Sequence, residues 1–222
     1  MAITIALGIS RPAPAATTCT LVVDAATGAT LVRVGDRCDE RLTRASTFKI
    51  PLSLIGFDSG ILRDASHPAW PYSDEYKTWN DDWKRTTTPR TWLRDSVVWY
   101  SQVLTRTLGE AKFQQYLDKL VYGNRDVSGG LTTAWLASSL RISAVEQTEF
   151  VRRMIRRELP VSSSAIDRTM AIMPVASSGG WRISGKTGTG FQRRPDGAND
   201  PDHWDGSSGG LSARDDPSCS LA

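Results

Sequence analysis

The chain has 222 residues, 40% of them hydrophobic and 23% charged, with a formal net charge of +3. That length fits one domain or two closely packed lobes around a real core. The small, scattered positive charge argues against a nucleic-acid partner, and no segment approaches the roughly 20 apolar residues of a membrane span.

Met1 to Thr18 combines a short apolar run with Pro12-Ala13-Pro14-Ala15-Ala16, the back half of a secretory signal peptide without its basic leader. Residues 1–18 are therefore expected to be a signal-peptide remnant and the protein to be periplasmic. A hairpin is predicted over Thr20–Asp24 and Thr30–Val34, flanked by Cys19 and Cys38. Export would permit a disulfide between these two, but spacing does not give their geometry, and the pairing stays open. With His67 and His203 isolated, no group has metal-ligand spacing and no metal is expected.

A strongly apolar stretch from Ser46 to Asp58 reads as a buried helix ending at Ser59-Gly60. Residues 61–92, rich in proline and tryptophan, read as mostly loop with short helical turns. Helices are predicted over Ser96–Leu108 and Glu110–Leu120, separated by Gly109. Ser143 and Glu146 form a capping box that opens a helix to about Glu158, and a shorter one spans roughly Ser164 to Met173. The arginines between Arg152 and Arg157 read as a solvated helix face. Trp181 to Lys186 is predicted as a strand, Gly188 to Gly190 as a turn. Eight tryptophans in this length predict an aromatic core or cleft.

Three motifs carry the chemistry. In Ser46-Thr47-Phe48-Lys49, serine and lysine lie one helical turn apart on one face. A serine hydroxyl needs a base to attack an amide, and lysine can serve only when burial lowers its pKa. Phe48 and Ile50 supply apolar surroundings for that. Ser96-Val97-Val98 offers a second serine. In Lys186-Thr187-Gly188-Thr189-Gly190 a strand-edge lysine beside a hydroxyl can grip an anionic group, and the glycines allow close approach to the backbone.

Together with Tyr122-Gly123-Asn124 and the run from Trp135-Leu136 to Ser143, these motifs resemble, in order, those of the class D (oxacillin-hydrolysing) serine β-lactamases. The resemblance covers about Cys19 to Gly190. It implies an α/β fold of the β-lactamase and penicillin-binding transpeptidase kind: an antiparallel sheet flanked by helices, with an inserted all-helical lobe. It implies that Ser46 is the nucleophile and that carbon dioxide adds to Lys49 as a carbamate, the general base. Trp135 would hold that group, with Val98 and Leu136 shielding it. Ser96 would relay a proton under the influence of Lys186. The backbone of Ser46 and Thr189 would form the oxyanion hole, and Thr187 and Gly188 would help receive the substrate. The implied partner is a small β-lactam, with no other cofactor. Oligomeric state is not readable.

Beyond Phe191 the chain departs from the pattern. Residues 192–222 are dominated by Gly, Ser and Asp without strand or helix period, and are expected to be a disordered tail outside the family. The catalytic domain, 19–191, is then expected to lack its C-terminal strands and helix. Read two nucleotides out of frame, Trp204–Arg214 can give Gly-Arg-Phe-Val-Gly-Trp-Ala-Lys-Arg-Glu, so a frameshift near His203 would explain both the departure and Cys219. Low stability or weak activity would follow. The alternatives are an acylating penicillin sensor or transpeptidase-like protein, and an inactive truncated product.

Overall fold

The computed structural model describes the backbone of residues 19–193 and 199–214 and the side chains of 19–190 and 206–213. The expected signal segment and Cys219 lie outside the described residues. The predicted hairpin is present as β1 (Thr20–Val23) and β2 (Thr30–Val34), paired antiparallel. Its turn is held by the Asp24 carboxylate, which accepts from the Thr27 amide and hydroxyl at 2.7 Å each. Cys19 and Cys38 are bonded, with Cα atoms 4.9 Å apart and Cys38 fully buried. The bridge closes a short loop, so its reduction is expected to cost about 3 kcal/mol. Comparing denaturant midpoints with and without reductant measures that cost.

A short 3₁₀ turn, Ala45–Phe48, leads into α1 (Lys49–Asp58). Nine of the ten α1 residues are buried, the pattern of a helix enclosed on all sides rather than one lying on a surface. Around it lie α2 (Pro89–Asp95), α3 (Val98–Leu108), α4 (Glu110–Leu120), α5 (Ala144–Ile155) and α6 (Ser163–Ile172). The reciprocal Ser143–Glu146 capping box opens α5 as predicted. The helix ends earlier than expected, and Arg152, Arg156 and Arg157 pair with carboxylates near its end. α2 begins at the end of the stretch read as loop with short helical turns and runs past it, a boundary that was not placed. Its signal was present, since Thr88 caps it reciprocally with Thr91 and Pro89 occupies the first turn. The core is aromatic, and Trp92, Trp99 and Trp135 are buried within it.

The second sheet has the order β3-β4-β5: β3 (Val175–Ser178), β4 (Trp181–Arg193) and β5 (Asn199–Arg214), all antiparallel neighbours. Three expectations are corrected here. Gly188–Gly190 is not a turn, because β4 continues through it to Arg193. Residues 199–214 are not disordered. The C-terminal side of the sheet is not wholly missing, because β5 pairs with β4 from Trp181↔Arg214 to Arg193↔Asn199. The physical reason is that strand pairing uses backbone N–H and C=O groups, which a Gly- and Ser-rich segment possesses as fully as any other. Composition measured how little apolar area the segment can bury, and among its described side chains Leu211 packs against the core. A neighbouring strand with an open edge supplied what side chains did not.

Candidate active site

The turn that carries Ser46 is built by the break between 3₁₀ and α-helical winding. Residues three apart eclipse one another in a 3₁₀ turn, and Ser46 and Lys49 stand three apart across the junction with α1. Lys49 Nζ lies 2.9 Å from Ser46 Oγ. Ala45, just before the serine, has a positive φ of 42°, a left-handed conformation that costs a non-glycine residue about 1–3 kcal/mol and is typical of functional turns. Sequence inspection gave no sign of this strain. The Arg44 carbonyl accepts from the Thr47 amide at 3.0 Å and the Thr47 hydroxyl at 2.8 Å, which fixes the turn.

Lys49 is 1% exposed. Burial foremost, and then the charge of Lys186, holds its amine well below the usual lysine range. Among the described residues no carboxylate pairs with it, so nothing offsets the cost of a buried ammonium. The physical consequence is an amine biased toward its neutral form and hydrogen-bonded to the serine hydroxyl. Lys186 is also buried, and burial lowers its pKa in turn. Its Nζ donates to the Thr187 carbonyl at 2.8 Å.

Phe48, between the serine and lysine in sequence, stacks on Trp135 with ring centroids 5.4 Å apart. Trp135 is 2% exposed, and its indole N–H has no partner among the described residues. Such an orphan donor is costly, which marks a place for an acceptor. Val98 is buried in the same cluster, and Leu136 packs against it half-buried. Ser96 caps the end of α2 in the left-handed conformation, φ 61°, and makes no hydrogen bond to the other site residues among those described. Thr187 and Thr189 are exposed on β4 and Gly188 between them is buried.

Gly188 lets β4 rest on the Ser46 turn. A Cβ there would lie 2.5 Å from the Arg44 carbonyl oxygen and 3.0 Å from the Thr47 amide nitrogen. Both are backbone atoms and neither can rotate away. Gly188→Ala is therefore expected to cost about 1–3 kcal/mol as the strand is pushed off the turn. A lowered melting midpoint, with activity lost beyond what the unfolded fraction explains, is the expected result.

A serine in contact with a buried lysine, beneath a strand bearing a second lysine, is the arrangement that acyl transfer through serine requires. Residues 18–218 match the model of the penicillin binding protein transpeptidase domain, a match that runs through the segment expected to stand outside the family. The chain is 44% identical to β-lactamase OXA-9 of Klebsiella pneumoniae over 183 residues, 79% of this chain and 66% of that protein. It is 40% identical to β-lactamase OXA-1 of Escherichia coli over 181 residues, 78% and 64% of the two. The crystal structure of OXA-427, a class D β-lactamase, superposes with a TM-score of 0.83 at 44% identity, covering 90% of this chain and 84% of that one. The chain belongs to the transpeptidase-domain family and, within it, to the class D β-lactamases. It spans about two thirds of the length of the curated relatives named above.

Proposed function

We propose that this chain hydrolyses β-lactams through an acyl-enzyme on Ser46. The observation that carries the reading is the 2.9 Å contact between Ser46 Oγ and an amine buried without a counter-ion. Ser46 Oγ attacks the lactam carbonyl as the base at Lys49 takes its proton. The C–N bond opens, and Ser96, influenced by Lys186, delivers a proton to the departing nitrogen. The amides of Ser46 and Thr189 receive the developing oxyanion, where each donor typically contributes about 3 kcal/mol. Thr187 and Gly188 on β4 position the substrate carboxylate. A base then activates water to release the acyl group from Ser46.

The residues present fit a carbamate on Lys49. Burial presses its amine toward the neutral form that addition of carbon dioxide requires, and the orphan Trp135 N–H is a donor awaiting an acceptor. Bound there, carbon dioxide would supply an oxygen base in place of the amine nitrogen. Trp135 would hold it, and Val98 and Leu136 would exclude bulk water. Export to an oxidising compartment, the periplasm in our reading, is supported by the Cys19–Cys38 disulfide.

The test is intact mass after mixing with a penicillin, together with a chromogenic cephalosporin assay in added bicarbonate. Hydrolysis predicts a transient adduct on Ser46, sustained turnover and stimulation by bicarbonate. A single stoichiometric burst with a lasting adduct would mean a penicillin sensor instead. No adduct on cooperatively folded protein would contradict the reading.

A further inference from the structure

Gln147 on α5 is 6% exposed, its carbonyl accepts from the buried Tyr122 hydroxyl at 3.1 Å, and its Nε2 has no partner among the described residues. The amide points at β5: a Cβ on Gly209 would meet Gln147 Nε2 at 3.2 Å, Cγ at 3.6 Å and Cδ at 3.7 Å. Gly209 is in turn the register partner of Lys186 on β4. Directly opposed residues of an antiparallel pair send their side chains to the same face, with Cβ atoms about 4.5–5.5 Å apart. The Gln147 carboxamide thus fills the space that a side chain at 209 would occupy, alongside the stem of Lys186.

On its other side the same amide leans on the aromatic stack of the site. Tyr122 meets Phe48 edge-on at 5.5 Å, and Phe48 stacks on Trp135. One side chain therefore spans from the packing around the Ser46–Lys49 turn to the strand pair that carries Lys186. We infer that Gln147 is a positioning residue: its carboxamide, wedged between Tyr122 and Gly209, holds Lys186 at its depth beside the Ser46–Lys49 pair. The glycine at 209 is the matching half of the device, because it alone leaves room for the wedge. An unsatisfied buried amide would ordinarily be replaced by an apolar side chain at a gain in stability. Its presence under the lysine-bearing strand is explained by a role there.

The inference rests on reading Lys186 as a site residue, but its test needs no turnover. The full chain is labelled with acetic anhydride at neutral pH, and the modification of each lysine is read by mass spectrometry. In the wild-type protein Lys49 and Lys186 are both protected relative to exposed Lys84 and Lys112. In Gln147→Ala, Lys186 labelling is expected to rise about tenfold, because the loosened strand lets the reagent reach an amine that packing now shields, while Lys49 stays protected. Gln147→Met, which keeps the volume, is expected to restore protection. Should the alanine variant fail to fold, Gly209→Ala displaces the amide from the strand side and is expected to raise Lys186 labelling alone. Unchanged labelling in a folded variant overturns the inference, and so does a parallel rise at Lys49, which signals general loosening. If the wild-type chain forms no penicillin adduct while the labelling behaves as stated, the hydrolase reading fails and this one stands.

Discussion

Lys49→Ala is expected to lower kcat/KM for a penicillin by about 10²- to 10⁴-fold, the usual contribution of a positioned general base. The serine keeps its place in the 3₁₀ turn but loses the amine that lies 2.9 Å from its hydroxyl. The variant is expected to fold, because removing a buried amine with no counter-ion relieves a desolvation cost even as it leaves a small void. Intact mass should show slow acylation and slower release. The pH profile of the wild-type enzyme carries the same information. Since burial and Lys186 press the Lys49 pKa downward, its amine is neutral over a wider range than usual. Activity should fall as pH drops through that lowered pKa, because the ammonium has no lone pair to accept the serine proton. A variant retaining wild-type kcat/KM would remove Lys49 from the mechanism.

Trp135→Phe is expected to slow release of the acyl group by about 10- to 100-fold, the loss usual when a group orienting a site's reactive centre is removed. Phenylalanine keeps the stacking on Phe48 and the edge contact with Phe113, whose centroids lie 5.4 and 6.1 Å away, but deletes the N–H that lacks a partner among the described residues. If that donor holds a carbamate, the variant needs more bicarbonate to reach its maximal rate, and acyl-enzyme accumulates at low bicarbonate. Stability should hold or rise slightly, since an orphaned buried donor disappears. Equal bicarbonate dependence in the two proteins would show that the indole has another purpose.

Much of the site was legible because its chemistry lies in short linear motifs. Ser46 and Lys49 are three residues apart, so any helical winding brings them together. The buried run Ile50–Phe57 announced the apolar surroundings that press the lysine's pKa downward. The capping box at Ser143 and the hairpin at Thr20–Val34 were local too, with the information in neighbouring residues. What composition misjudged was β5. A strand specified by the edge of its neighbour leaves little mark in its own side chains, and Gly206–Gly210 carries almost none. The same blindness hid the continuation of β4 through Gly188–Gly190. There the glycines reflect the approach of the nucleophile turn, with the Arg44 carbonyl 2.5 Å from where a Cβ would stand, rather than a change of direction. The strain at Ala45 and the wedge at Gln147 are tertiary facts: neither residue type signals them, and both arise where the turn and helices meet the strands.

The most direct test of the account is the ionisation of Lys49 itself, followed by side-chain ¹⁵N NMR of lysine-labelled protein in buffer free of carbon dioxide. The prediction is one amine that titrates far below the others and vanishes from the spectrum of Lys49→Ala. If every lysine titrates together near the ordinary value of about 10.4, the buried base does not exist and the catalytic reading falls with it.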